Sequence, residues 1–228
     1  MSLAPDAPPA PGGDIPSCIV RQSHLTDLPE FHNIFDPSRP VEVDIGCGKG
    51  RFLLARAAAH PDVQYLGIER LLLRVRKIDR KALRGGLANL RLVRLEAAYT
   101  LRYFIPEHAV QRFYLLFPDP WPKRRHHKRR LFDEAFRTLL WTRLVPGGEL
   151  QVATDHLDYF GEMRCQLDGD PRFEAVPAME RAPEEQTDFE LIFRGQGLPV
   201  GAAGYRARPA AGQVSGFRVQ GLWLVVDG

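Results

Sequence analysis

From Pro40 onward the chain alternates short β-branched runs with longer amphipathic ones, and this alternation restricts its fold more than any other feature. Residues 41–45 (VEVDI) end at glycines and read as a buried strand, while 52–59 reads as a helix that stops near Pro61. Residues 64–68 (QYLGI) form a second strand signal. The stretch 70–84 places Leu71, Val75, Ile78 and Ala82 on one helical stripe, closed by Gly85 and Gly86. Third and fourth strands are expected at 90–95 and 111–117, then a helix at 131–144. A turn at Pro146, Gly147 and Gly148 leads to a fifth strand at 149–153. Strands alternating with helices build a parallel sheet covered on both faces, an α/β, doubly wound, mostly parallel architecture. Ligands of such sheets lie beyond the carboxyl ends of the strands, so the residues just after each strand carry the functional information. Residues 221–226 (GLWLVV) read as an apolar strand that could close the sheet.

With 228 residues, 44% hydrophobic and 26% charged, the chain can bury one sizeable core and would be cramped as two domains. Residues 1–16 are rich in Pro, Ala and Gly and are expected to form a flexible tail, leaving 17–228 as a single domain. Cys18, Cys47 and Cys165 are widely spaced with no CxxC pair. That argues against a disulfide framework or structural zinc and fits a reducing, cytoplasmic compartment. No basic-then-apolar leader and no run approaching a membrane span is visible. A monomer and a homodimer are both compatible with this composition. The formal charge of +3 names no partner; what matters is where the basic residues fall.

After the first strand come Gly46, Cys47, Gly48, Lys49 and Gly50, where glycines allow a sharp turn and close approach of backbone to a ligand. A dinucleotide site needs GxGxxG, but the third position here is Arg51 and the spacing is GxGxG. Asp44, two residues before the first glycine, would also repel a diphosphate. It suits a ligand that carries an ammonium and a sulfonium, as S-adenosylmethionine does. Glu69, at the tip of the second strand, can accept both ribose hydroxyls. Glu96, after the third, stands where an adenine ring would lie. The bland alternative is a tight turn flanked by solvated acids.

The fourth strand runs into Phe117-Pro118-Asp119-Pro120-Trp121-Pro122, whose prolines fix the backbone and present Asp119 at the sheet edge. Next come Lys123, Arg124, Arg125, His126, His127, Lys128, Arg129 and Arg130, six Lys or Arg without an acid. Beside a methyl-donor site, such a run points to a phosphate backbone rather than an idle loop. Trp121 can stack on a base or pack beneath the loop. His126 and His127 are adjacent and point apart, a poor metal pair, so no metal site is expected. A second basic cluster, Arg70, Arg74, Arg76, Lys77, Arg80, Lys81 and Arg84, reads mainly as a solvated helix face.

Taken in order, VDIGCGKG, LGIE, FPDPWPKRRHHKRR, ATD (153–155) and TDFE (187–190) resemble the motifs of bacterial tRNA (guanine-N7)-methyltransferases, over about residues 41–200. The resemblance implies a Rossmann-like sheet of the class I methyltransferase type and methylation of guanosine 46 in the tRNA variable loop, with S-adenosylmethionine as donor. It places Asp44, Gly46, Gly48, Glu69, Glu96 and Asp119 around the donor. It places Lys123, Asp155, Thr187, Asp188, Phe189 and Glu190 against the substrate, while the charge of the basic run sets Arg124, Arg125, Lys128, Arg129 and Arg130 along the RNA backbone. Two donor-site acids depart in length, Asp44 standing where Glu is common and Glu96 where Asp is common.

Guanine N7 has an exposed lone pair, so methyl transfer needs orientation and charge stabilisation rather than a strong base. Asp119 is the candidate catalytic carboxylate, with Asp155 and Glu190 as supporting acceptors. Two rivals make different predictions. An amino-methyltransferase would use Asp/Asn-Pro-Pro-aromatic, but here the second proline is Trp121. An RNA-binding module without chemistry leaves Asp44, Glu69 and Asp119 unexplained.

Overall fold

The protein is described by a computed structural model covering residues 17–21, 28–121, 123, 125, 126, 130–209, 216–219 and 222–225. The N-terminal stretch read as a tail, and Arg124, Lys128 and Arg129 of the basic run, lie outside the described residues. The elements run α1 (Phe31–Ile34), β1 (Val41–Ile45), α2 (Arg51–Ala59), β2 (Gln64–Ile68), α3 (Leu72–Arg84), β3 (Leu90–Val93), α4 (Ala97–Tyr103) and β4 (Val110–Leu116). They continue with α5 (Glu134–Arg143), β5 (Leu144–Thr154), α6 (Leu157–Asp168), β6 (Phe173–Val176), α7 (Asp188–Gly195) and β7 (Gly201–Ala207). Two short strands, β8 (Gly216–Val219) and β9 (Leu222–Val225), pair only with each other.

The main sheet has seven strands in the order β3-β2-β1-β4-β5-β7-β6. The first five are mutually parallel and β7 enters antiparallel between β5 and β6. This is the expected doubly wound, mostly parallel sheet. Val41, Val43 and Ile45 face one side, packing in a core with Leu101, Phe113, Leu115, Phe136 and Leu140. On the other side Leu53 and Ala57 of α2 and Val75, Ile78 and Ala82 of α3 cover Tyr65, Leu90 and Leu92.

Several local expectations change. Leu71 precedes α3 and is 51% exposed, so the buried stripe is Val75, Ile78 and Ala82 only. Helix α5 begins later than expected because the Asp133 side chain accepts from Phe136 N at 2.8 Å and caps it. Pro146 to Gly148 bulge within β5: Val110 pairs with Leu144, and the next pair is Arg112 with Glu149. The expected closing strand does not join the main sheet: its described residues, 222–225, belong to the separate hairpin, and the sheet continues from β5 through β7 to β6 at its edge.

Strand β7 was invisible because its sequence, GAAGYRA, is poor in strand formers. Its glycines answer to close neighbours. A Cβ at Gly201 would meet the Phe160 ring at 2.5 Å, and one at Gly204 would meet Pro177 O at 2.6 Å. At the opposite edge, Val20 N and Leu92 N exchange bonds with Leu92 O and Cys18 O at 2.8 Å each, so residues 18–20 shield β3.

Candidate active site

At the end of β1, Gly46 N and Cys47 N both donate to Ile68 O, at 2.9 and 3.0 Å, turning the loop across the tip of β2. Gly46 and Gly48 have φ of +74° and +58°; a Cβ at Gly46 would meet nothing and one at Gly48 only Gly46 O at 3.8 Å, whereas Gly50 at +76° does a different job. A Cβ there would meet Ile78 at 2.6 Å, so Gly50 lets α2 pack on α3. Glu69 is buried and ties the loops together: one oxygen accepts from Gly48 N at 3.1 Å, the other from Leu71 N at 2.9 Å. Arg74 reaches the same carboxylate at 3.3 Å.

Asp44 is only 4% exposed, and among the described residues no Lys, Arg or His ion-pairs with it. Burial, and then the charge of Glu69, push its carboxyl from 3.8 up to about 7. A buried carboxylate without a countercharge beside an open glycine turn fits a cationic ligand, and the ammonium and sulfonium of S-adenosylmethionine provide one. Glu96 is exposed and caps α4, accepting from Ala98 N at 3.0 Å and Tyr99 N at 2.8 Å. Both of its oxygens serve that helix end.

The loop after β4 is bracketed by two non-glycine residues with positive φ, Phe117 at 53° and Trp121 at 42°. Each such conformation costs about 1–2 kcal/mol and persists only where neighbours enforce it. Phe117 N donates to Ala153 O at 2.7 Å, and the Trp121 ring meets His126 edge-on at 5.9 Å. Between them Asp119 is exposed. Lys123 and Arg125 are exposed as well. Arg130 is not: its Nε donates to Pro120 O at 2.8 Å, its guanidinium pairs with Glu162, and it lies 4.6 Å over the Tyr159 ring. Arg130 therefore staples the base of the loop and is turned away from the backbone role expected of it. Asp155 follows β5 and is half-buried. Asp44, Glu69, Asp119 and Asp155 thus stand at or just past the carboxyl ends of four adjacent strands, β2-β1-β4-β5.

Residues 177–200 cross the α2 face as a strap between β6 and β7. Thr187 caps α7 by accepting from Glu190 N at 3.0 Å. Glu190 is 1% exposed, gripped by Arg181 at 3.0 and 3.1 Å and by Arg194 at 3.0 Å. In this conformation both side chains organise the strap rather than face the open edge. Phe189, 54% exposed, lies 6.1 Å from Phe117 and 6.4 Å from Phe193, all three rings near parallel. Asp188 lies 4.0 Å from Lys49 of the glycine loop, and Arg51 donates to Gln186 O at 3.1 Å.

Sequence reasoning missed what lies beneath the strap. Glu42 is buried on β1 and accepts from Tyr114 at 2.6 Å, Arg112 at 2.9 Å and Arg56 at 3.3 Å. Arg56 also holds Glu185 of the strap at 3.2 Å. The signal was present: an acid inside a strand buried on both faces, and an arginine inside an apolar helix, each need a buried partner.

A family model described as "Putative methyltransferase" matches residues 38–193. The tRNA (guanine-N(7)-)-methyltransferase of Halorhodospira halophila is 39% identical over 193 residues, covering 80% of this chain and 84% of that protein. The enzyme of the same description from Nocardioides sp. is 35% identical, covering 78% and 71%. Among solved structures, the 16S rRNA methyltransferase KamB shares the fold, with a TM-score of 0.58 at 17% identity, covering 78% of this chain and 93% of that one. With a family model spanning most of its sheet and relatives matched along four fifths of its length, the chain belongs to the tRNA (guanine-N7)-methyltransferase family.

Proposed function

We propose that the protein methylates N7 of guanosine 46 in the variable loop of tRNA. The observation that carries this reading is the pairing, on one sheet edge, of a buried unpaired Asp44 beside Glu69 with a strained loop that exposes Asp119. Family membership supports the tRNA substrate, and position 46 follows from the motif resemblance.

S-adenosylmethionine, when bound, supplies an electrophilic methyl on a positively charged sulfur. Asp44 faces the cationic part of the donor, Glu69 its ribose, Glu96 the region of its adenine, and Gly46 and Gly48 leave room for it. Asp119 meets the guanine edge, accepting from N1–H and the exocyclic amine. It stabilises the purine as the N7–methyl bond forms, the methyl–sulfur bond breaks and the positive charge passes from sulfur to base. No proton must leave N7 first. Lys123, Asp155 and the 187–190 segment orient the nucleotide, with Phe189 offering a ring face. Arg124, Arg125, Lys128 and Arg129 hold the backbone, and residues 17–228 work as one domain.

The test is transfer of labelled methyl from S-adenosylmethionine to unmodified tRNA, with nucleoside analysis of the product. N7-methylguanosine is expected, lost when guanosine 46 of the transcript is replaced and reduced at least about 100-fold by Asp119→Ala. A methylated exocyclic amine instead would assign the chain to the amino-methyltransferase chemistry.

A further inference from the structure

Helix α3 turns Val75, Ile78, Asp79 and Ala82 inward and leaves Arg76, Lys77, Arg80, Lys81 and Arg84 exposed. A solvated helix face ordinarily interleaves acids with bases so that neighbours three or four residues apart attract. Here they repel. Arg76 and Arg80, Lys77 and Lys81, and Arg80 and Arg84 are four apart; Lys77 and Arg80, and Lys81 and Arg84, are three apart.

The helix holds one acid, and that acid is engaged elsewhere. Asp79 is buried and accepts from Cys18 N at 2.7 Å and from Ser17 Oγ at 3.1 Å, fastening the N-terminal segment to the β3 edge. Arg74 folds back to Glu69. Among the described residues, none of the five outward cations is in an ion pair. Residues 70–94 hold nine Lys or Arg against one acid, while the whole chain has 31 against 28. The positive charge is therefore concentrated here, and the rest of the molecule is net acidic.

We propose that the outward face of α3 is a second phosphate-binding surface for the tRNA substrate, separate from the basic loop after β4. This rests on the tRNA-methylation reading. Three features select RNA over a lipid surface or an acidic protein. The apolar stripe of α3, Val75, Ile78 and Ala82, is buried in the core, and the exposed Leu71 and Leu73 at its first turn are too small an apolar surface to seat the helix in a bilayer. Arg76, Arg80 and Arg84 repeat about every 6 Å along the axis, presenting planar forks suited to successive phosphates. The helix also starts just after Glu69 at the donor edge, flanking β2 and β3, while the loop carrying Asp119 follows β4. A long polyanion that lies across that edge and runs on down α3 reaches both.

The experiment compares the full-length protein with R76Q/R80Q/R84Q and with the charge-keeping R76K/R80K/R84K. Binding of unmodified tRNA is measured across a salt series, alongside S-adenosylmethionine binding and thermal unfolding. The glutamine variant should bind tRNA at least about tenfold more weakly at low salt, with a log–log salt slope shallower by about 2–3. Its donor affinity should match wild type, and its Tm should hold or rise by about 1–3 °C as the repulsion is relieved. The lysine variant should keep the wild-type slope. An unchanged slope and affinity in a folded glutamine variant overturns the proposal and makes the face merely solvated. Retained tRNA binding with lost binding to anionic phospholipid vesicles overturns it in favour of a membrane. If the glutamine variant fails to fold, Arg84→Gln alone decides, with a slope change of about 1 expected and none overturning the proposal. Failure of the wild-type protein to bind or methylate tRNA removes the underlying reading instead, which the variant comparison alone would not do.

Discussion

On the proposed reading, Asp44 couples donor binding to protonation. Its carboxyl sits near 7 in the folded chain and at an ordinary carboxylate value, 3.8, when exposed. Between those values the folded state holds a proton that the unfolded state has released, so this residue's contribution to stability falls as pH rises from about 4 to 7. A cationic donor needs the ionised form. Titrated from pH 5.5 to 8, S-adenosylmethionine affinity should fall about tenfold per unit below about 7 and level off above it. Asp44→Asn should bind weakly with a flat profile; a wild-type profile without that rise would remove the cation-facing role. The glycines divide in the same way between ligand and fold. Gly50→Ala forces a methyl into Ile78 at a left-handed φ and should cost about 2–4 kcal/mol of stability, read as a lowered Tm. Gly46→Ala meets no neighbour, so its cost should be about 1 kcal/mol of backbone strain, with the main loss in donor affinity.

At the scale of elements, the basic run after β4 separates into two tasks that its composition conceals. Arg125 is exposed, and Arg125→Ala should leave Tm unchanged while making the salt slope of tRNA binding shallower by about 1. Arg130→Ala should instead lower stability by about 2 kcal/mol and slow methyl transfer, because the loop that presents Asp119 loses its staple. The strap depends on buried ions. Glu185→Ala leaves Arg56 with Glu42 as its one carboxylate partner among the described residues, beside His60, and should cost about 3 kcal/mol and raise KM for tRNA as residues 187–190 loosen.

For the whole molecule, strands β1 to β5 and the switch-point edge were readable because β-branched runs end at glycines and prolines, and because acids follow strands at regular intervals. What escaped reading was set by contacts distant in sequence. GAAGYRA forms a strand because it pairs with both β5 and β6, and Phe160 and Pro177 leave no room for a side chain at Gly201 and Gly204. Arg130 looks like its neighbours in the run until Pro120 and Glu162 turn it inward. Thr187 and Glu190 were legible as a motif, yet their engagement with Arg181 and Arg194 required the folded strap. The basic face of α3 looked ordinary until Asp79 proved to be buried.

The insertion of β7 between β5 and β6 also sets a calendar for assembly. The residues proposed to face the donor on β1 to β3, from Asp44 to Glu96, belong to the first half of the chain, and only Asp119 of that set follows later. The strap is held between β6 and β7, and β7 pairs with β5, so the far side of the cleft stays unanchored until residue 207 has been synthesised. A chain growing from its amino end therefore completes the proposed donor side of the cleft and both basic surfaces before the strap is anchored, and a stop before β7 would leave that edge without residues 187–190 held opposite it.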